Sequence, residues 1–296
     1  MKIGFIGTGQ MGRHMARRLL EAGYDLTVHD LVKDRAQHLL EKGAKWTDTP
    51  KRMAALCEVV VSSLPGPSEV EAVVYGSNGL MAGWKRGDIY VDMSTNSPTI
   101  IRRIAEDAIS KGVDILDAPV SGGTHGAEAG TLAIMVGGPA DVLEKVRKVF
   151  EVIGDKIFHC GEVGHGNISK LVNNMILDAC NAITSEGLVL GVKAGMDPRK
   201  LWEVLRVSSG RNRYLERIPL TVFKGDFEPG FRLSLAYKDI RLALALAKEY
   251  GVSLPVGAAV AKRFSEAENA GLGEKGSQSI ILLSEEEAGV KVRSIQ

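Results

Sequence analysis

Five polar residues recur inside one apolar stretch: Lys170, Asn174, Asp178, Asn181 and Ser185, at steps of four, four, three and four. In a helix this spacing lines them up as one narrow stripe. Leu171, Val172, Met175, Ile176, Ile183 and Leu190, with their apolar neighbours, cover most of the remaining circumference. A helix that is apolar nearly all round is expected to be buried, and a Lys on it needs a partner. Two accounts fit: an ion-pair stripe with Asp178, or a stripe whose first turn faces a ligand. The second carries chemistry. An alcohol oxidised by hydride transfer must lose its hydroxyl proton, and Lys170 can take it if burial lowers its pKa toward neutrality. In reverse, its ammonium returns the proton. Asn174, one turn later, can hold the substrate oxygen or orient the amine. His165, between Gly164 and Gly166, is a rival base but reads as a loop residue.

A second constellation lies at the N-terminus. Gly7-Thr8-Gly9-Gln10-Met11-Gly12 follows the run Lys2 to Ile6 and opens a helical pattern from Met11 to Ala22. Gly7 permits a tight turn, Gly9 lets the backbone approach a pyrophosphate, and Gly12 allows close helix–strand packing, with the phosphates at the helix N-terminus. Asp30, 18 residues beyond Gly12, ends the next strand where a carboxylate accepts from the adenosine ribose hydroxyls. That favours NAD, while Lys33 and Arg35 nearby keep NADP possible. Two further strand ends are expected on the same rim. At Leu64-Pro65, Pro65 can wall the dinucleotide; at Met93-Ser94-Thr95-Asn96, Thr95 can reach the nicotinamide side. In Asp117-Ala118-Pro119-Val120-Ser121-Gly122-Gly123, the Ser121 hydroxyl and the unobstructed N–H groups of Gly122 and Gly123 can cradle a small carboxylate. Read locally, each of these segments is equally a plain Gly- or Pro-containing connection.

These residues need a frame to hold them. Short β-branched runs at Lys2–Ile6, Asp25–Asp30, Glu58–Ser63, Ile89–Asp92, Asp114–Asp117, Leu132–Val136 and Lys156–Cys160 alternate with helical patterns such as Pro98–Lys111 and Pro139–Val152. Alternation of this kind predicts an α/β fold with a mainly parallel, doubly wound sheet. From Asn167 onward the pattern is helical, so residues 1–163 read as a dinucleotide-binding domain and 164–296 as an all-α substrate and oligomerisation domain. The length of 296 residues suits two such domains. With 37 Lys+Arg against 36 Asp+Glu the net charge is +1, which gives no electrostatic reason for a nucleic acid or membrane partner. Cys57, Cys160 and Cys180 are too few and scattered for a disulfide framework or metal cluster, so no metal is expected. No signal-peptide core and no run of about 18 apolar residues is evident. The expectation is a cytoplasmic protein.

Taken together, Gly7-x-Gly9-x-Met11-Gly12, Asp117 to Gly123, Gly164-x-Gly166-x-x-x-Lys170-x-x-Asn173-Asn174 and Lys238-Asp239 resemble the β-hydroxyacid dehydrogenases. This is the group similar to 3-hydroxyisobutyrate dehydrogenase, tartronate semialdehyde reductase and, more remotely, 6-phosphogluconate dehydrogenase. The resemblance spans almost the whole chain. It implies a Rossmann domain followed by an all-α domain, Lys170 as general acid/base and Asn174 as a substrate-side helper. It further implies a carboxylate cradle at Ser121, Gly122 and Gly123, with Thr95 and Lys238 near the nicotinamide and Phe231 walling the pocket. A homodimer or homotetramer whose interface lies in the helical half also follows from it.

The expected function is NAD-dependent oxidation of a small 3-hydroxy acid, such as 3-hydroxyisobutyrate or serine, to its semialdehyde. The alternative is an NADPH-dependent reductase of small aldehyde acids (glyoxylate, succinic semialdehyde, tartronate semialdehyde). A third possibility of another class is a non-catalytic dinucleotide sensor, against which stand Lys170, Asn174 and the Ser121 cradle. Arg211 and Arg213, in Ser208 to Arg213, either meet a second anionic group on the substrate or simply open a solvated helix.

Overall fold

The computed structural model describes residues 1–294. By contacts they divide into two compact units, Met1–Lys170 and the described residues from Leu171 onward. The division falls inside a helix.

The first unit is built on β1 (Lys2–Ile6), β2 (Asp25–His29), β3 (Lys45–Trp46), β4 (Val59–Ser62), β5 (Ile89–Asp92), β6 (Asp114–Asp117), β7 (Val120–Ser121), β8 (Leu132–Gly137) and β9 (Gly154–Gly161). They form one sheet in the order β3-β2-β1-β4-β5-β6-β8-β7, with β9 on β8. Pairing is parallel from β3 through β6; β8 runs antiparallel to β6 and β7 and parallel to β9. The mainly parallel, doubly wound sheet expected from the alternation is therefore present. The two-residue strands β3 and β7 were not visible in the sequence because they have no alternation to read.

Strand periodicity explains why both faces are covered. Side chains alternate across a strand, so Ile3, Phe5, Val59, Val61, Ile89 and Val91 enter one core and Ile6, Val60, Tyr90 and Ile115 the other. The helices of this unit are α1 (Gly12–Glu21), α2 (Gln37–Leu40), α3 (Pro50–Leu56), α4 (Pro67–Tyr75), α5 (Pro98–Ile109), α6 (Gly123–Ala129) and α7 (Ala140–Ile153). α1 and α7 supply Met15, Leu19, Val146 and Phe150 to the first core; α3, α4 and α5 supply Met53, Val70 and Ile104 to the second. Pro opens α3, α4 and α5, where its missing N–H costs nothing.

α8 (His165–Lys193) starts in the first unit and continues into the second, which adds α9 (Pro198–Leu205), α10 (Leu233–Glu249), α11 (Pro255–Ala267) and α12 (Ile281–Ala288). Asp197 caps α9 by accepting from Lys200 N. Ala182, Leu233, Ile240 and Phe264 form one core of this unit, and Leu188, Tyr214, Val222 and Ile281 another.

α8 departs from the sequence expectation in two ways. Val172, Ile176, Ile183 and Leu190 are 44%, 56%, 63% and 71% exposed, so one apolar stripe of the helix is uncovered in the single chain. An apolar pattern reports burial without saying which molecule does the burying. Its apolarity and 29-residue length would also suffice to cross a membrane, but Asn174, Asp178, Asn181 and Ser185 are buried on its inner face. They make it the core helix of a polar-lined bundle.

Candidate active site

The glycine-rich loop joins β1 to α1 at the carboxyl end of the sheet, beside β4, where the strand order reverses. Ligands of open α/β sheets bind at such a reversal. Gly7 adopts φ +90° and donates its N–H to His29 O at 2.9 Å. A Cβ on Gly12 would collide with the Gly7 carbonyl oxygen, so this glycine is required by the helix–loop packing. Gly9 is different. Its φ is not positive and a Cβ there would meet nothing within 4 Å. The fold has no internal need for a glycine at this position, which is what a backbone surface reserved for a pyrophosphate looks like. Gln10 is exposed and Met11 half-buried at the mouth of α1.

Asp30 is buried at the end of β2 and bonded within the fold. Its Oδ2 accepts from Thr8 N at 2.8 Å and Thr8 Oγ1 at 3.2 Å, and Oδ1 accepts from Val32 N at 2.9 Å. A carboxylate offers about four acceptor sites, so one remains for a ribose hydroxyl. The exposed Arg35 lies 3.8 Å from Oδ1. Asp30 thus ties the glycine loop to the end of β2, a structural role that the sequence did not show.

The remaining first-unit candidates end β4, β5 and β7. Leu64 is half-buried and its N–H donates to Ser94 Oγ at 2.9 Å, while Pro65 is exposed beside it. Thr95 is half-buried after β5. Ser121, half-buried, closes β7; Gly122 and Gly123 are exposed with φ +139° and +65°, values that only glycine adopts without strain. Lys170 is half-buried, five residues into α8. His165 is the first residue of α8 rather than a loop residue, its N–H bonded to Glu162 O.

Beneath this rim lies a buried polar network to which the sequence reading gave no role. Asp92 and Asp117 are register partners at the ends of β5 and β6, both fully buried. Asp92 accepts from Ser62 Oγ (2.9 Å), Ser94 N (3.1 Å) and Asn96 Nδ2 (2.9 Å). Asp117 accepts from Gly164 N (2.7 Å), Asn167 N (2.7 Å) and Asn167 Nδ2 (3.1 Å). Burial pushes both carboxyls above their usual range, Asp117 to about 6, with these hydrogen bonds opposing the rise. Asp117 also caps α8: Gly164 has no side chain to satisfy the free N–H groups of the first turn, so a neighbouring strand supplies the acceptor. The one available signal was the recurrence of an acid at the end of two apolar strands, Ile89-Tyr90-Val91-Asp92 and Asp114-Ile115-Leu116-Asp117.

In the second unit Asn174 is buried and donates from Nδ2 to Asp239 Oδ2 at 2.6 Å; its Oδ1 accepts from Asn173 Nδ2 at 3.0 Å. Lys238, on α10, holds its Nζ 2.9 Å from Asp239 Oδ1. Asn174 and Lys238 therefore meet on one carboxylate. Phe231, half-buried before α10, packs on the core containing Leu233 and Phe264. Arg211 and Arg213 are exposed, and Asn212 between them bonds to Thr184 Oγ1 at 3.0 Å. Thr184 lies ten residues beyond Asn174, about 15 Å along α8 at 1.5 Å per residue.

A doubly wound sheet with a glycine-rich β1–α1 loop, followed by a helical unit, is the arrangement of an NAD(P)-dependent oxidoreductase, here one acting on CH–OH groups. Residues 2–161 match the family model for the NAD binding domain of 6-phosphogluconate dehydrogenase, and 164–284 that for the NAD-binding region of NADP-dependent 3-hydroxyisobutyrate dehydrogenase. The chain is 41% identical over 293 residues to 2-(hydroxymethyl)glutarate dehydrogenase of Eubacterium barkeri, covering 99% of this chain and 97% of that one. It is 41% identical over 282 residues to 3-hydroxyisobutyrate dehydrogenase of Pseudomonas aeruginosa, covering 91% and 95%. Among solved structures, 3-hydroxyisobutyrate dehydrogenase of Mycobacterium tuberculosis with L-serine superposes with a TM-score of 0.87 at 31% identity, covering 95% of this chain and 98% of the other. The chain belongs to the β-hydroxyacid dehydrogenase family.

Proposed function

We propose that this enzyme oxidises a small 3-hydroxy acid carrying a primary alcohol, HO–CH2–CHR–COO⁻, to its semialdehyde with NAD. The observation that carries the reading is the placement of Lys170 at the start of a helix capped by Asp117, the residue that leads into the Ser121 turn. A bound NAD would supply the hydride acceptor for the carbinol carbon, held by the Gly7 to Gly12 loop and Asp30. Lys170, as the amine, takes the hydroxyl proton, and returns it in the reverse reaction. Asn174, its amide fixed by Asp239, offers the substrate oxygen its second N–H. Ser121 and the N–H groups of Gly122 and Gly123 hold the carboxylate. This assignment agrees with the HO–CH2–CHR–COO⁻ pattern shared by 2-(hydroxymethyl)glutarate, 3-hydroxyisobutyrate and L-serine, the compounds in the relatives' names.

Asp30 supports NAD: a 2′-phosphate would face its carboxylate. Arg35 beside it supports the second reading, an NADPH-dependent reductase of the corresponding semialdehydes. For assembly we propose a homodimer or homotetramer that covers the exposed stripe Val172, Ile176, Ile183 and Leu190. For localisation we propose the cytoplasm, on the small number and wide spacing of Cys57, Cys160 and Cys180 in the sequence.

The test is NADH and NADPH formation measured in parallel on 3-hydroxyisobutyrate, L-serine, 2-(hydroxymethyl)glutarate and, as a secondary-alcohol control, lactate, together with NADH and NADPH consumption on the corresponding semialdehydes. Turnover of a primary-alcohol acid with NAD and none of lactate is expected. Activity confined to semialdehydes with NADPH selects the reductase; preferred oxidation of lactate overturns the substrate class.

A further inference from the structure

The catalytic reading requires three separate segments to keep a fixed mutual register: the Thr95 turn, the Ser121 turn and the Lys170 helix. One side chain touches the supports of all three. Asn167 is fully buried and stands three residues before Lys170 on α8. Its Oδ1 accepts from Asn96 N at 2.7 Å, on the residue next to Thr95. Its Nδ2 and its own N–H both donate to Asp117 Oδ2, at 3.1 and 2.7 Å, and Asp117 begins the segment that reaches Ser121 four residues on.

Asn96 is fixed in turn. Its Nδ2 donates to Asp92 Oδ2 at 2.9 Å and its Oδ1 accepts from Ser97 N at 2.7 Å. Asp92 is also held by Ser62 Oγ, which is 2.7 Å from Tyr90 OH. Because Ser62 donates its single proton to Asp92, Tyr90 must donate to Ser62. Every member of this chain of groups is buried and its polarity is set by its neighbours. A fully satisfied buried network of this kind has one low-energy arrangement. The Asn167 amide cannot flip, because its nitrogen must face a carboxylate and its oxygen an N–H.

We propose that Asn167 is a positioning residue for the reaction: it registers the Lys170 helix against the Thr95 and Ser121 turns, and so sets the distance over which the base reaches the substrate hydroxyl. The proposal rests on Lys170 being the acid/base. It follows from geometry that a small displacement at Asn167 is carried to Lys170, one helical turn away, whereas the glycine loop that binds the dinucleotide has its own support in Asp30. Misplacement by about 1 Å near the reacting atoms costs up to 10²-fold in rate.

The experiment compares Asn167→Ala, Asn167→Gln and a core control, Val146→Ala on α7, with the unsubstituted enzyme. Asn167→Ala is expected to lower kcat 10- to 100-fold with NAD dissociation constants within about twofold. It should also enlarge the primary isotope effect with substrate deuterated at the carbinol carbon and shift the acid limb of the kcat/KM profile, to which Lys170 and, near pH 6, the Asp117 carboxyl both contribute. Asn167→Gln, which keeps the amide but displaces it by one methylene, should change the same quantities less. Val146→Ala should lower thermal stability while leaving kcat, isotope effect and pH limb unchanged. If Asn167→Ala does not accumulate as folded protein, the readings on Asn167→Gln decide.

Lys170→Ala separates the two levels of the account. An inactive Lys170→Ala alongside Asn167 variants with unchanged pH limb and isotope effect overturns the positioning role alone. An active Lys170→Ala overturns the catalytic reading beneath it. A loss of kcat in Asn167→Ala matched by an equal loss in Val146→Ala would reduce Asn167 to a general stabiliser and also overturn the proposal.

Discussion

Two buried polar clusters serve this enzyme in different ways. The rim network of the first unit centres on Asp92 and Asp117, each receiving three hydrogen bonds. The seam of the second unit runs along α8 from Asn174 to Ser185 and is more sparsely bonded. Asn174 meets Asp239 and Asn181 Nδ2 meets Ser277 O, yet Asn181 Oδ1 and Ser279 Oγ are buried with no hydrogen-bond partner. A saturated network rigidifies, while a partly saturated one is a place where the chain tolerates change. The rim should therefore govern register and stability, and the seam should matter chiefly at Asn174, to which the proposed function gives a substrate contact.

The sharpest way to break this contrast is to remove an acceptor from each cluster. Asp117→Ala orphans Gly164 N and both donors of Asn167. At about 1 kcal/mol or more per buried donor it should cost roughly 3 kcal/mol. Asn181→Ala in the seam should cost about 1 kcal/mol, since only Ser277 O loses a donor. Urea midpoints of the two variants measure the difference, and equal losses would erase the distinction.

The pH dependence sharpens it further. Burial raises the Asp117 carboxyl to about 6, with Asp92 adding to the rise and the Gly164 and Asn167 bonds restraining it. An ordinary carboxyl, as in the unfolded chain, releases its proton near pH 4. Between about pH 4 and 6 the folded chain still holds a proton that the unfolded chain has lost, so the Asp117 contribution to stability falls as pH rises. The shift corresponds to about 3 kcal/mol. Unfolding free energies of the unsubstituted enzyme minus those of Asp117→Ala, measured from pH 4 to 7, should decline across that window. A flat difference contradicts the assignment.

A smaller effect is expected at the cofactor end. Asp30→Asn keeps a side chain of the same size but removes the charge that opposes a 2′-phosphate. It should narrow the preference for NAD over NADP about tenfold, read as the ratio of kcat/KM values. It should also loosen the glycine loop, because the amide nitrogen replaces one acceptor of the Thr8 and Val32 bonds.

The two clusters also mark where the sequence could be read and where it could not. Gly7, Gly9 and Gly12, the strands from β1 to β6 and the polar stripe of α8 announce themselves through spacing, because a period of 2 or 3.6 is local. The partners of those residues do not. Thr8 closing on Asp30, Asn167 bridging Asn96 and Asp117, and Asn174 meeting Asp239 join positions 22 to 71 residues apart. Nothing in local periodicity specifies such pairs. The exposed stripe on α8 failed to show for a related reason: Ile176 and Ile183 look like core residues whether the surface that covers them belongs to this chain or another.

The central claim is that Lys170 exchanges the proton of the reacting hydroxyl. It is tested most directly by Lys170→Ala, with NADH binding followed by cofactor fluorescence and turnover followed at the best primary-alcohol substrate. The account predicts NADH affinity within about twofold of the unsubstituted enzyme and a kcat lower by about 10²- to 10⁴-fold, the range for loss of a general base. Turnover within a few-fold of normal would contradict it.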